Sequence, residues 1–210
     1  MGISERKERE KLKRRADILE AAERVFFSKG FDKSTMDDIA DEAELSKGTL
    51  YLYFKSKEDL HLAVAVEAIG LMGSLTKEIR DLKETAIEKL VKLGWAFISF
   101  SKEYPDQMGS ILKLDGIDLE KTSYSLDDLK KVIYTRSPVK LVMEFIEQGI
   151  EEKSIRSDIP PLVIAHTLWM QMLGVIQIVA LKKGLFEMLE LAPEALYKNH
   201  IELVLNGIKS

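Results

Sequence analysis

The feature that most constrains the fold is a pair of short, capped helical patterns near the N-terminus. Thr35 precedes the first of them, 36–43, and Ser46 precedes the second, 47–54. Small polar residues of this kind cap helix N-termini. The two patterns are joined by the turn Glu44-Leu45, which leaves room for only a tight connection. Two short helices in this arrangement predict a helix-turn-helix, whose second helix lies in the major groove of DNA.

Apolar spacing in the second helix separates an inward face from an outward face. Leu50 and Phe54 are four residues apart and therefore lie on the same side of the helix. The polar side chains on the other side can reach phosphates and base edges, and Gly48 lets the DNA backbone approach closely. The predicted DNA-binding residues are Thr35, Ser46, Lys47, Gly48, Thr49, Tyr51, Tyr53, Lys55 and Lys57. Periodicity alone leaves a second interpretation open, a capped surface helix with ordinary lysines and half-buried tyrosines.

Charge is distributed unevenly around this pattern. The chain has a formal net charge of -4, yet residues 1–15 carry seven bases and three acids, and residues 46–57 carry three lysines and no acid. Basic charge concentrated in this way is typical of proteins that contact DNA. Residues 1–15 are therefore expected either to add phosphate or minor-groove contacts or to form a frayed, solvated helix start.

The remainder of the chain also predicts helices, because apolar residues recur at spacings of three and four. A first helix ends at Gly30, and a fourth begins after Ser56 and continues to about Leu82. Further helices are predicted from about 85 to 102, 104 to 113, 125 to 152, 161 to 182 and 193 to 206, with a loop over 115–125 and a start or kink at Pro138. The fold class is therefore all-α, with a domain boundary inside the fourth helix.

Composition argues against an enzyme and against a metal or cofactor site. The chain has no Cys, and His61, His166 and His200 are far apart and lack ligand spacing. No glycine-rich phosphate loop and no convergent nucleophile and base are present. We therefore expect no enzymatic activity, no metal and no cofactor. The charged stretch 5–15 stands where a signal peptide needs apolar residues, which predicts a cytoplasmic protein.

The helix-turn-helix segment carries a recognisable set of residues: Ile39-Ala40, Ala43, Leu45-Ser46, Gly48, Leu50-Tyr51, Tyr53-Phe54 and Lys57 to Leu60. In these positions the chain resembles the TetR family of transcriptional regulators, whose signature is IAxxAGVSxGxLYxHFxxKxxL. The resemblance is confined to about residues 10–70. Glu44 replaces the turn glycine, so a left-handed backbone there would carry strain of about 1 kcal/mol, or the turn would be rearranged. Tyr53 replaces the frequent histidine.

The resemblance implies two domains and a mode of action. Residues 1–56 would form a three-helix DNA-binding domain with its helix-turn-helix at about 35–54, and residues 57–210 an effector-binding and dimerisation domain. Such proteins are homodimers whose recognition helices enter successive major grooves, so the operator should be a near-palindrome with half-sites about 34 Å apart. The implied function is a repressor released from DNA by a small hydrophobic effector. A constitutive DNA-binding dimer without an effector is the alternative.

A long apolar stretch near the C-terminus has two interpretations. Leu162–Leu181 contains twenty residues without a charge, which is long enough to span a membrane. Polar residues such as His166 and Gln177 spread around the helix, and this favours burial against the chain's own core and a partner subunit. Together with 195–208, it is expected to form the family's four-helix dimer interface. No membrane partner is expected.

The pocket that holds the effector would be lined by aromatic, Met and polar residues of the middle and late helices. The candidates are Trp95, Met108, Tyr134, Met143, His166, Trp169, Met170 and Gln177. Met and aromatic residues are also ordinary core residues, whereas His166 and Gln177 are favoured because a polar group in an apolar helix needs a partner. Gly70 and Gly73, late in the fourth helix, predict either bending or close packing.

Overall fold

The chain folds into helices over the residues that the computed structural model describes, 2–114 and 118–210. The helices are α1 Ile3–Lys29, α2 Met36–Glu42, α3 Lys47–Tyr51, α4 Lys57–Thr76, α5 Ala86–Glu103, α6 Pro105–Leu112, α7 Leu126–Arg136, α8 Val139–Glu151, α9 Pro161–Leu181, α10 Lys183–Met188 and α11 Pro193–Ile208. Short 3-10 helices cover Lys77–Asp81 and Leu119–Lys121. The predicted all-α fold class is confirmed.

Some helix boundaries differ from the prediction. The stretch 125–152 contains two helices, α7 and α8, because Pro138 lacks a backbone N–H and suits the start of a helix rather than its interior. The long apolar helix ends at Leu181 as expected, but α10 follows it immediately. Within the predicted loop 115–125, residues 115–117 lie outside the described residues, and Leu119–Lys121 forms a 3-10 turn.

The chain divides into two compact units. The N-terminal unit contains residues up to Ala68 together with the described part of Gly109–Lys130, and the C-terminal unit contains Ile69–Met108 and Lys131–Ser210. The division falls inside α4. The predicted domains, 1–56 and 57–210, divide the chain by function, and that division stays a prediction. The two divisions differ in where they assign residues 57–68 and Gly109–Lys130.

The core of the N-terminal unit joins α1, α2, α3 and the start of α4. Its buried apolar residues are Ile18, Leu19, Ala22, Val25, Phe26, Met36, Ile39, Ala40, Leu50, Phe54, Leu60, Ala63 and Val64. The residues from α1 recur at three and four, so this helix has one buried stripe. After α1, Gly30 takes a φ of 79°, which suits glycine, and the ring of Phe31 packs 5.5 Å from that of Phe26.

The core of the C-terminal unit is built from α5, α8, α9 and α11. α8 packs against α5 and α9, and α11 packs against the same two helices. Phe97 of α5 meets Trp169 of α9 edge to face, with ring centroids 5.4 Å apart. The buried side chain of Lys89 lies here too. Its Nζ donates hydrogen bonds to the carbonyl oxygen of Arg80 at 3.0 Å and to Gln148 Oε1 at 3.2 Å.

Gly70 and Gly73 of α4 are close-packing positions within the C-terminal unit. A Cβ atom at Gly73 would overlap the carbonyl oxygen of Arg136, and one at Gly70 would overlap the guanidinium of the same residue. The end of α7 therefore lies directly on the α4 backbone, and any larger residue at position 73 would push it away.

Within 2–114 and 118–210, two helical stretches are long and apolar enough to cross a membrane, Lys57–Asp81 and Pro161–Leu181. In the first, 72% of the most apolar window is buried inside the chain, as in a core helix, whereas the second is only 28% buried. By length and composition alone such helices are weak evidence for a membrane span. The second stretch leaves a large apolar surface uncovered by its own chain.

Candidate nucleic-acid interface

α2 and α3 begin at two of the predicted capping residues, Thr35 and Ser46. Thr35 Oγ1 accepts a hydrogen bond from Asp38 N at 3.1 Å, and Asp38 Oδ2 accepts one from Thr35 N at 3.0 Å. Ser46 Oγ accepts a hydrogen bond from Thr49 N at 3.2 Å. Each cap satisfies an amide that the helix itself leaves unpaired. Hydrogen bonds from Lys29 and Thr35 hold the pKa of Asp38 below its ordinary value.

The turn between α2 and α3 is left-handed at Glu44, whose φ is 54°. Glu44 N donates to the carbonyl oxygen of Asp41 at 3.1 Å, and Leu45 N donates to that of Ala40 at 2.9 Å. This pair of hydrogen bonds closes a Schellman motif, and Leu45 packs against the core. The turn is therefore retained without glycine, and the strain at Glu44 is about 1 kcal/mol.

α3 has the two faces that its spacing predicts. Leu50 and Phe54 are buried in the core of the N-terminal unit. Lys47 and Gly48 are exposed, and Tyr51 is half-exposed. Leu52, which no pattern in the sequence marks as a contact, is 82% exposed. The outward surface therefore combines polar groups with one large apolar side chain.

An ion pair holds Lys47 on this surface. Its Nζ lies 2.7 Å from Asp37 Oδ1 at the start of α2, and the hydrogen bond to Asp37 raises the pKa of Lys47. Both side chains are more than half exposed. Because an exposed ion pair contributes only about 0–1 kcal/mol, a DNA phosphate can replace Asp37 without a large loss.

Two of the predicted contacts have internal roles in the structure. Lys57 Nζ donates to the carbonyl oxygens of Phe31 at 2.8 Å and Ser34 at 3.1 Å, and it lies 4.4 Å above the centroid of the Phe31 ring. Tyr53 is partly buried and packs against the core. Both side chains hold the N-terminal unit together, whereas Lys55 is exposed to solvent.

α4 begins at a buried carboxylate. Asp59 N donates to Ser56 Oγ at 3.0 Å, as the predicted cap requires. Asp59 is 1% exposed. Its Oδ2 accepts hydrogen bonds from Lys55 N at 2.9 Å and from Ser123 Oγ at 2.8 Å. Its Oδ1 accepts one from Ser123 N at 2.8 Å. Asp59 therefore fastens the segment around Ser123 to the start of α4. No local pattern marks this pair, since 64 residues separate its members.

Several known proteins are similar to this chain. The profile of the family described as "Bacterial regulatory proteins, tetR family" matches residues 18–64. The HTH-type transcriptional regulator YfiR of Bacillus subtilis is 39% identical over 87 residues, which cover 41% of this chain and 38% of YfiR. The HTH-type transcriptional repressor KstR2 of Mycolicibacterium smegmatis is 25% identical over 153 residues, covering 70% of this chain and 69% of KstR2. Residues 18–64 of the chain are therefore similar to the TetR family of regulators.

The TetR-like fold extends beyond the matched segment. The transcriptional regulator FadR of Bacillus subtilis, solved in complex with stearoyl-CoA, superposes with a TM-score of 0.73 at 21% identity, over 92% of this chain and 98% of FadR. This likeness is one of fold. It supports an N-terminal helix-turn-helix domain followed by a helical C-terminal domain in this chain.

The C-terminal unit contains a small apolar cavity of about 50 Å³. Its walls come from α5, α8, α9 and α11. Of the eight predicted effector residues, Trp169 lines this cavity. His200 also lines it, although the sequence pattern does not mark it, and burial lowers the pKa of His200.

The other predicted effector residues lie away from this cavity. Four of them are exposed to solvent: Met170 at 62%, Tyr134 at 42%, Trp95 at 37%, and Gln177. Met143 and His166 are partly buried, and Met108 is buried but does not line the cavity. His166 Nδ1 finds its partner within its own helix, the carbonyl oxygen of Leu162 at 2.9 Å. The cavity face of each helix is set by tertiary packing, so residue type alone could not select it.

Proposed function

We propose that this chain is a cytoplasmic transcriptional repressor that binds a near-palindromic operator as a homodimer and is released by a small hydrophobic effector. The observation that carries the proposal is the geometry of α2 and α3. Leu50 and Phe54 anchor α3 to the core, while Lys47 and Tyr51 stay exposed on its other face. The basic residues in 1–15 would add the phosphate attraction on which DNA binding depends.

The proposed DNA contacts are Thr35, Ser46, Lys47, Gly48, Thr49, Tyr51 and Lys55. Tyr53 and Lys57 remain in the site as residues that act indirectly, by holding α3 and the turn before α2 in place. Lys47 would exchange its ion pair with Asp37 for a phosphate. The two α3 helices of a dimer would occupy major grooves about 34 Å apart.

Selection of bound sequences from random DNA at moderate salt tests this function. We expect enrichment of a near-palindrome, and failure to enrich one would contradict the proposal. Tyr51→Ala should weaken operator binding about tenfold per half-site, or about a hundredfold for the dimer, because a hydrogen bond to a charged phosphate is lost in each subunit. Tyr134→Ala, at a similarly exposed tyrosine of the C-terminal unit, is the control and should leave operator binding unchanged.

We propose that the dimer forms through α9 and α11. Met170, Leu181 and Leu203 are each more than 60% exposed on these helices. Soluble monomers rarely leave so much contiguous apolar surface uncovered, and a second copy of the same two helices would cover it with twofold symmetry.

Sedimentation in detergent-free buffer tests the dimer. We expect twice the chain mass of 23.9 kDa, and a wild-type monomer would contradict the proposal. Met170→Glu combined with Leu203→Glu should give monomers, because the charges would be buried unpaired. Leu75→Glu changes a leucine that is also exposed, at 52%, and should leave the dimer intact.

The apolar cavity of the C-terminal unit supports a hydrophobic effector. Its volume of about 50 Å³ is small beside the roughly 300–1,000 Å³ of typical ligand pockets, so binding would have to separate the surrounding helices. A ligand that shifts a DNA-competent population from 99:1 to 1:99 must favour the other state by about 5.5 kcal/mol. His200 would supply a polar contact at the cavity wall.

Thermal unfolding with added probes tests the effector. Saturated fatty acids of increasing length and their CoA thioesters are the first probes, because FadR, which shares the fold, was solved with stearoyl-CoA. A binder should raise the unfolding midpoint and release the operator. His200→Phe should weaken that release and leave operator binding intact. If no hydrophobic compound raises the unfolding midpoint or releases the operator, the alternative of a constitutive DNA-binding dimer is favoured.

A further inference from the structure

The outermost position of the recognition helix is apolar. Successive helical residues are about 100° apart, so Gly48 and Leu52 lie on one line, opposite the buried Leu50 and Phe54. Leu52 continues the helical path, with φ -70° and ψ -22° and a hydrogen bond from its N to the carbonyl oxygen of Thr49 at 3.2 Å. At 82%, its exposed fraction exceeds that of every other large apolar side chain in the described residues.

The surface around this line leaves room for a base pair. Among the described residues, a Cβ atom added at Gly48 would come within 4 Å only of Ser46 Oγ, at 3.9 Å. DNA could therefore approach the helix there until it meets Leu52. Lys47, Thr49 and Tyr51 flank the line, and their polar groups suit phosphates and the hydrogen-bonding edges of bases. Leu52 has no such group. The apolar group that the major groove offers is the C5-methyl of thymine.

We propose that Leu52 reads a thymine methyl group in each half-site of the operator, an inference that rests on the proposed DNA-binding function. Contact between the two groups removes apolar surface of both from water. Adenine and cytosine would place an amino group near Leu52 instead, and the side chain would strip that group of water without replacing the hydrogen bond. Leu52 therefore contributes sequence selectivity as well as affinity.

Replacement of thymine by uracil in the selected operator tests the proposal, because uracil differs only by the missing methyl group. Each symmetric pair of thymines is replaced in turn, and dissociation constants are measured by titration. At one pair, binding by the wild-type protein should weaken about fourfold per half-site, the factor for returning one methyl group to water. Leu52→Ala should bind the thymine operator no more tightly than the wild-type protein binds the uracil operator. It should also bind the thymine and uracil operators equally.

Two further variants act as controls. Leu52→Met keeps an apolar side chain and should retain most of the preference for thymine. Leu75→Ala removes the same atoms from an exposed leucine of the C-terminal unit and should retain all of it. Unfolding midpoints confirm that all variants fold, as expected for exposed positions.

The possible results are distinguishable. If the protein selects an operator but no thymine pair is sensitive to uracil, or if Leu52→Ala keeps the wild-type sensitivity, the inference about Leu52 is overturned alone. If no operator is selected at all, the proposed function is overturned and this inference with it.

Discussion

The two units differ in how far apart along the chain their functional residues lie. In the N-terminal unit, the caps pair Thr35 with Asp38 and Ser46 with Thr49, each three residues apart. In the C-terminal unit, the cavity is lined by residues from α5 to α11. A recognition helix is thus positioned by neighbours in sequence, and a cavity by the packing of distant helices. Substitutions should therefore act through different contacts in the two units.

The largest effect is expected at the hydrogen bonds between Asp59 and Ser123, which are 64 residues apart in the N-terminal unit. Asp59→Ala leaves the backbone amides of Lys55 and Ser123 without their partner inside the fold. Because an unpaired buried group costs about 1–3 kcal/mol, the free energy of unfolding should fall by about 3 kcal/mol in denaturant melts. Ser123→Ala removes only the hydroxyl contact and should cost about 1 kcal/mol. Equal losses would show that the carboxylate does not organise this segment.

A smaller effect on the free energy of unfolding is expected from glycine-to-alanine substitutions, which should act in opposite directions in the two units. Gly73→Ala places a methyl group against the Arg136 carbonyl oxygen, and overpacking of this kind should lower the free energy of unfolding by about 2 kcal/mol. Gly48→Ala enters open space and should raise it by up to about 1 kcal/mol, the difference in helix propensity. It should also weaken operator binding, because the methyl group keeps DNA away. If the two variants have equal stability, α4 and α7 are not closely packed.

The same contrast explains how much could be predicted from the sequence. Caps and apolar spacing act over three or four residues, so the all-α class and the burial of Leu50 and Phe54 follow from local patterns. The internal role of Lys57 depends on carbonyl groups 23 and 26 residues earlier, and its charge alone indicated a DNA contact. The cavity wall was harder to predict, because many Met and aromatic residues fit the pattern, and only the packing of the helices places Trp169 and His200 there.

Backbone strain provides a comparison in which both units should respond alike. Glu44 in the N-terminal unit and Lys153 in the C-terminal unit both have left-handed backbones, with φ of 54° and 57°. Glycine adopts this conformation without the Cβ penalty of about 1 kcal/mol, although it also makes the unfolded chain more flexible. Glu44→Gly and Lys153→Gly should therefore each raise the free energy of unfolding by about 0.5 kcal/mol in denaturant melts. A loss at Glu44 alone would indicate that its side chain has a role in the turn.

The smallest effect at neutral pH concerns two histidines, the buried His61 of the N-terminal unit and the partly buried His200 of the C-terminal unit. Burial, then the charges of Lys113 and Lys57, hold the pKa of His61 below its ordinary value of 6.5, and burial lowers the pKa of His200. Above pH 6.5 both imidazoles are neutral whether the chain is folded or not, so stability does not change with pH through them. As the pH falls below 6.5, the unfolded chain binds protons that the folded chain does not, and stability declines until the folded-state pKa is reached.

Substitution of each histidine in turn shows how much of the stability loss below pH 6.5 arises in each unit. His61 Nδ1 has no hydrogen-bond partner among the described residues. The ring centroid of His61 lies 4.6 Å from that of Phe31, so His61→Phe should keep the aromatic contact and lose no bond at that atom. Hydrogen exchange, corrected for its intrinsic pH dependence, reports each unit separately. His61→Phe should flatten the decline in the N-terminal unit and His200→Phe that in the C-terminal unit. If His61→Phe changes neither, the imidazole is hydrated in the folded chain, and the aromatic cluster around it is looser than its geometry indicates.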